Sequence, residues 1–592
     1  MTAFMLQWIL LSVVSTIVAA NELPPSCSKP VYCDSQLLHH VQMARIYPDS
    51  KTFVDLHLQN DQQATIDLFD ELLKKTNGNP TKDEIKDFVN KNFDDNKELE
   101  DWKPDDFKEN PLFVRFIRDE RLRKFGNNVH NVWPILGRKV RQEVIDDPER
   151  YSLIPVSHGF MIPGGRFKEI YYWDTYWIIE GLLISDMTET AKGMIMNLIE
   201  LLRTLGHIPN GSRWYYQERS QPPLLTAMVS LYMRYTNDMD FLRKNIDYLE
   251  TELDYWLDTQ VVTFKKNKET YTLLRYDAPS AGPRPESYYE DITHAQWFDN
   301  EERKQEFYTD VKSAAESGWD FSSRWFIDEK GDNTGNLTNI HTKSIIPVDL
   351  NSIFINAMQT IAYFRSILGN PHIAVGWAIQ AKQWKKSLND VLWDNEDGIW
   401  YDYDISNKIH RKYFFPTNLS PLWMGAVDKT LVKEYSPRVM EYLSKTSSLD
   451  FPGGVPSSLA RTGEQWDFPN AWPPLVSIVV NALEAMRLPE AKKAAFHVAQ
   501  TWVRANMKGF EETNQMFEKY DAEIPGKVGG GGEYTVQEGF GWSNGVVLEF
   551  LSKYGRSMTA VDSDDTGGVT TINSDLGLKK TLIVRARGIK KP

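Results

Sequence analysis

Cysteine is almost absent from the chain: Cys27 and Cys33 are the only two among 592 residues. A structural zinc site needs four thiol or imidazole ligands at short spacings, so two thiols argue against a zinc knuckle. The 11 histidines are scattered and no His-Glu-x-x-His occurs. Neither a metal nor any other cofactor is therefore expected. Basic charge is also in short supply. Lys and Arg total 67 against 81 Asp and Glu, a net charge of −14. An acidic chain repels phosphates, so nucleic acid is not an expected partner. Beyond residue 20 no apolar run is long enough to cross a bilayer; the longest in the basic C-terminal stretch is Leu582-Ile583-Val584.

What the chain has in plenty is aromatic side chains, 12% of residues with 19 Trp. That richness belongs to a folded chain, not a disordered one. Tryptophan and tyrosine among carboxylates and arginines also suit flat, hydroxyl-rich ligands such as sugars.

Residues 1–20 contain no Asp, Glu, Lys or Arg and end in Val18-Ala19-Ala20. This is the pattern of a secretory signal cleaved before Asn21, although the usual basic start is missing and an uncleaved anchor is the alternative. Cys27 and Cys33 follow closely and are expected to pair in an oxidising compartment. Asn336-Leu337-Thr338 and Asn418-Leu419-Ser420 are glycosylation sequons. The expectation is a secreted, extracellular protein glycosylated at Asn336 and Asn418. Residues 556–592 turn polar, Gly-rich and then basic, and are expected to form a disordered tail.

Helical periodicity dominates from about residue 170. Ala191, Met194, Ile195, Leu198, Leu202 and Leu205 step by three and four, and Gly206 stands where a C-terminal cap belongs. Similar stripes run through 242–257, 374–388 and 491–502. Further helices are predicted near 175–185, 222–236, 301–316, 349–368, 427–444, 474–486 and 541–554. One hairpin is predicted at Ile399–Tyr403, after Asp397-Gly398. About a dozen helices in some 400 residues predict a mainly α fold, an α/α toroid of six helical hairpins over residues 151–555. Residues 21–150, helical and highly charged, are predicted to pack on the outside of it.

Six stretches do not read as helix faces: 163–174, 208–223, 282–289, 315–325, 465–474 and 517–534. Each sets Arg, Asp or Glu beside indole and phenol rings in irregular chain. Guanidinium and carboxylate groups pair with sugar hydroxyls, and aromatic faces cover the C–H side of a sugar ring. The run Gly529 to Gly532 has no Gly-Lys-Ser/Thr after it, so it is read as a mobile loop and not a phosphate cradle. Two carboxylates are what glycoside hydrolysis needs.

Together these stretches resemble the trehalases, the α,α-trehalose glucohydrolase family, and above all its secreted animal type. The most specific pieces are Pro163 to Trp177 and Gln465-Trp466-Asp467-Phe468-Pro469-Asn470-Ala471-Trp472; Asp49-Ser50-Lys51-Thr52-Phe53-Val54-Asp55 also matches. The resemblance implies the α/α toroid and an inverting hydrolysis of trehalose by water to two glucose molecules. It places the general acid on Asp320 and the general base on Glu518. It places sugar contacts on Arg166, Trp173, Asp174, Asn210, Arg219 and Ser220, and on Gln221, Arg284, Glu286, Gly318 and Glu533. Trp319 and Phe321 flank Asp320 and can supply the dry surroundings that keep an acid protonated. The remaining readings are another toroid glycosidase acting on α-linked oligosaccharides, or a sugar-binding protein on the same scaffold.

Overall fold

The computed structural model describes residues 23–561 apart from Asn96 and Tyr534. The predicted signal at 1–20 and the tail from 562 onward lie outside the described residues.

The fold is an α/α toroid. Among the described residues six helices line its axis: α1 (Asp174–Ile184), α2 (Leu225–Thr236), α3 (Val348–Ile367), α4 (Ser420–Trp423), α5 (Pro473–Ala485) and α6 (Gly541–Tyr554). Each packs on the next, and α6 returns to α1 to close the ring. The sequence shows why these are the inner helices. Ten of the 11 residues of α1 are buried, so it is apolar on nearly every side, as a helix covered all round must be. Pro473 and Pro474 start α5 where their missing N–H groups cost nothing. The outer helices are amphipathic. Thr188–Leu205 buries the predicted stripe and ends on Gly206 at φ 81°, a left-handed cap that favours glycine.

The ring closes through glycine. A Cβ on Gly545 would lie 2.0 Å from the carbonyl oxygen of Trp177, and one on Gly181 would lie 2.8 Å from the Cα of Gly545. Only bare backbone lets α1 and α6 approach so closely.

Strands are few and short. The predicted hairpin region splits: Ile399–Trp400 pairs with Trp393–Asp394, while Tyr403–Asp404 pairs with both Ile409–His410 and Ile345–Ile346. A longer hairpin, Val261–Lys266 with Glu269–Leu274, was not predicted. Its two-residue turn, Asn267 and Lys268 at φ 51° and 70°, is the tight type that hairpins favour.

The N-terminal region lies at two places. Residues 27–93 build a second core of their own, closed by Tyr171, Tyr215 and Tyr216. Cys27 and Cys33 are joined there, their Cα atoms 5.7 Å apart. Residues from Leu99 onward join the main core, and Glu120–His130 packs on α6. The expectation that this region merely clothes the barrel is therefore too simple: its Asp49–Lys51 segment reaches the mouth described next.

Gly545→Ala should cost about 1–3 kcal/mol through overpacking at the closing seam. Gly376 sits in a helix with open space around its Cβ position, so Gly376→Ala should not lower stability. Calorimetric melting of the two variants checks this: equal melting temperatures would mean that the seam tolerates a methyl group.

Candidate active site

The inner helices begin at one end of the toroid, and their N-termini carry site residues. Trp173 and Asp174 open α1, Trp472 precedes α5, and Phe540 and Trp542 flank the start of α6. The loops between helices complete a cavity of about 880 Å³ counting its open mouth, a size that suits a small ligand.

Of the residues predicted to bind or act, Asp320, Glu518, Arg166, Trp173, Asp174 and Asn210 line this cavity, as do Arg219, Gln221, Arg284, Glu286, Gly318 and Glu533. Ser220 is not among the lining residues. It stands behind the wall, its hydroxyl donating to the Ile208 carbonyl at 2.6 Å and its N–H to Glu316 Oε1 at 3.0 Å. Gly318 caps the helix Glu301–Ser317 at φ 80°. A Cβ there would strike the Trp173 ring at 2.6 Å.

Aromatic rings make the floor. Trp466 stacks on Trp472 at 3.8 Å and on Trp319 at 5.1 Å, and Trp173 meets Trp466 and Trp542 at 5.7 and 5.9 Å. Over this floor the charged groups are already paired. Arg284 grips Asp291 at 2.6 and 3.0 Å and reaches Glu533 at 3.1 Å. Arg219 meets Glu286 at 2.5 Å, and Arg166 lies 3.5 Å from Asp49. Three buried polar atoms of lining side chains have no protein partner: Arg219 Nε, Glu286 Oε2 and Trp466 Nε1. The two N–H groups are donors and the carboxylate oxygen is an acceptor, and all three belong to side chains that line the cavity.

Burial pushes the Asp320 carboxyl up to about 7, helped by the charge on Glu533 and opposed by Arg284 and Arg219. Burial and the neighbouring Glu518 also hold Asp174 well above the usual carboxylate range. The chain thus carries a carboxylic acid that keeps its proton near neutral pH and shares a cavity with Glu518, the arrangement needed for paired acid and base work.

Some of the site was not anticipated. Asp49, Ser50 and Lys51 line the cavity, as do Ser287 and Glu290; the match of residues 49–55 to the family was the available signal. One Gly-x-Ser-x-Gly spelling occurs at Gly541–Gly545, but it lies within α6 and Ser543 is buried with its hydroxyl given to the Phe517 carbonyl at 2.5 Å. It is no nucleophile elbow. The glycine run is more constrained than a mobile loop implies. Gly531 and Gly532 have φ of 78° and 89°. A Cβ on Gly529, Gly531 or Gly532 would approach a neighbour to 2.7 Å or less.

The sequons differ sharply. Asn336 is exposed at the start of a one-turn helix. Asn418 is 1% exposed and its amide donates to the Tyr413 carbonyl at 3.0 Å, so a glycan expected there does not fit the folded chain. Asn210 is likewise buried, its amide donating to the Ala315 carbonyl at 3.2 Å.

A family model described as Trehalase matches residues 45–555. A trehalase of Bombyx mori is 61% identical over 556 residues, covering 94% of this chain and 96% of its own. A trehalase of Homo sapiens is 44% identical over 539 residues, covering 91% of both chains. Among solved structures, neutral trehalase Nth1 from Saccharomyces cerevisiae superposes with a TM-score of 0.56 at 22% identity, over 70% of this chain and 80% of that one. At that identity the likeness shows the fold alone.

The buried Asp320 carboxyl makes a stability prediction. Its folded-state value lies above its unfolded one, so the stability it contributes is complete at low pH and is lost as pH rises from about 4 to about 7. Asp320→Asn removes that loss. The variant should gain melting temperature relative to the parent chain between pH 4.5 and pH 8. A constant difference across that window would mean that Asp320 titrates like an exposed acid.

Proposed function

The chain belongs to the trehalase family, and from that premise we propose that Asp320 and Glu518 carry its reaction as general acid and general base. The protein is a glycoside hydrolase that cleaves trehalose. In this reading the Asp320 carboxyl protonates the oxygen between the two sugars. Glu518 takes a proton from a water that attacks the anomeric carbon from the opposite face. The bond to the leaving sugar breaks, and the attacked glucose departs with its configuration inverted. One glucose leaves as the β anomer and the other keeps its α configuration.

The observation that carries this reading is the buried Asp320 carboxyl, pushed up to about 7, in the same cavity as Glu518. The unpaired Arg219 Nε and Glu286 Oε2 support a sugar-binding role for that wall. Arg166, Trp173, Asp174, Asn210, Gln221, Arg284 and Glu533 complete the proposed pocket.

Asp320→Asn and Glu518→Gln should each keep the fold and lose about 10²–10⁴-fold in kcat. The first-formed glucose, followed by proton NMR before mutarotation, should be half α and half β. Near-normal kcat in either purified variant would remove that residue from the mechanism, and α-glucose alone would mean retention.

We propose further that the protein is secreted and is glycosylated at Asn336 alone. The uncharged apolar leader, the Cys27–Cys33 disulfide and the exposed Asn336 support this. No described helix is long and apolar enough to cross a membrane. Expressed in a secreting host, the protein should lose its one glycan-dependent mass shift on Asn336→Gln. A glycan remaining on Asn418 would overturn the assignment.

A further inference from the structure

Three segments distant in sequence meet behind the catalytic cavity. The first carries Asp320, the second is the irregular stretch of Glu518 and Lys519 just before the strand Tyr520–Asp521, and the third is the glycine run that leads to Glu533. Gln465 stands between them, 2% exposed. Its Nε2 donates to the backbone carbonyl of Asp320, and its Oε1 accepts from Lys519 Nζ at 2.8 Å. Lys519, fully buried, also donates to the Gly531 carbonyl at 3.4 Å and lies 4.8 Å from the Trp472 ring centre. Asn470 finishes the bracket. Its amide donates to the carbonyls of Gln465 and Gly530 at 2.9 and 2.8 Å, and its oxygen accepts from the Gly530 N–H at 2.9 Å.

We propose that Gln465 and Lys519 are positioning residues, a bridge that fixes the acid, the base and the covering loop in one register and sets the field both carboxyls feel. The inference deepens the acid–base reading above and rests on it. A side-chain amide has one acceptor and a donor group, and Gln465 spends them on the two halves of the reaction centre. A shift of about 1 Å at either half costs on the order of 10²-fold in rate. The ammonium adds an electrostatic part. Burial pulls Lys519 down to about 8, while Glu518 and Asp320 both hold its proton. That attraction is reciprocal: a cation here favours the ionised form of each carboxyl. The other charged groups facing them are Glu533, Arg284 and Arg219 around Asp320, and Asp174 beside both. None of these is touched when Lys519 is changed.

The test is the pH profile of kcat for Lys519→Met and Lys519→Arg. In Lys519→Met both limbs should move to higher pH by about one unit, since each carboxyl loses a nearby cation, and kcat should fall about 10²-fold with KM little changed. Lys519→Arg keeps the charge and should leave both limbs in place while lowering kcat. A purely structural role would lower the melting temperature and leave the limbs of Lys519→Met unmoved, and that result overturns the proposal. Should Lys519→Met not fold, Gln465→Met removes both bonds of the amide, to the Asp320 carbonyl and to Lys519, without adding a charge. A lowered kcat at constant KM supports the bridge, and a parental kcat overturns it. Asp320→Asn run in parallel separates the two levels. If it retains turnover, the acid assignment fails; if it is inactive while the limbs of Lys519→Met stay put, only the bridge fails.

Discussion

The site depends on keeping the Asp320 carboxyl dry without giving it a cation of its own. Arg284 and Arg219 are close enough to pull its proton off, yet burial outweighs them. The structure achieves this balance by spending the arginines elsewhere. Arg284 is held by Asp291 and Glu533, and Arg219 by Glu286. A free guanidinium beside Asp320 would favour its ionised form; pairing each arginine with a carboxylate of its own weakens that pull. The Trp319, Trp466 and Trp472 stack behind it excludes water at little entropic cost, because its rings hold one another. Asp467 anchors the acid loop by accepting from the hydroxyls of Ser322 and Ser323 and from the Ser323 N–H, all within 2.9 Å.

A second buried network welds the N-terminal region to that site. Lys51 lies 2.6 Å from Asp55 and 2.9 Å from Glu169, while Arg213 lies 3.1 Å from Glu169 and 2.8 Å from Glu98. Three carboxylates thus share two cations. Burial raises the Asp55 carboxyl, but Arg213 and Lys51 outweigh it there, and Asp55 ends below the usual range. Glu98 is the acid left short: burial raises it against Arg213 alone. Removing one partner from so dry a network is costly. Since Glu169 follows Arg166 and precedes Trp173 in one loop, the N-terminal region supports the wall of the cavity as well as covering the barrel.

The helices were legible because long, strongly periodic segments carry their own signal. Leu198 and Leu202 mark one outer helix and Gly206 marks its end, whatever lies around them. The short pieces were not. The strands of the site are two residues long, held by partners such as Asn470 and Asp521 that lie far apart in sequence, and no local pattern announces them. That Asp320 and Glu518 share one cavity was legible through their motifs, and the aromatic neighbours of Asp320 were read as a source of its burial. That the Ser220 hydroxyl is spent on the Ile208 carbonyl was not legible, because a motif says which residues cluster, not which face of the loop each one takes. The burial of Asn418 was not legible for the same reason: a sequon is a spelling, and burial is decided by the fold.

The charges around the cavity also bear on what it admits. Lys51, Arg166, Arg219, Arg284 and Lys519 supply five cations. Against them stand Asp49, Glu286, Asp291, Glu290, Glu518 and Glu533, six carboxyl groups before Asp174 and Asp320 are counted. No cation is in surplus, so a sugar bearing a phosphate finds no counter-charge and would enter against a net negative field. A neutral disaccharide loses nothing by this. It needs donors and acceptors fixed in direction, and paired arginines and carboxylates supply them already oriented. The same pairing that protects the proton on Asp320 thus makes the pocket one for hydroxyls and not for charge.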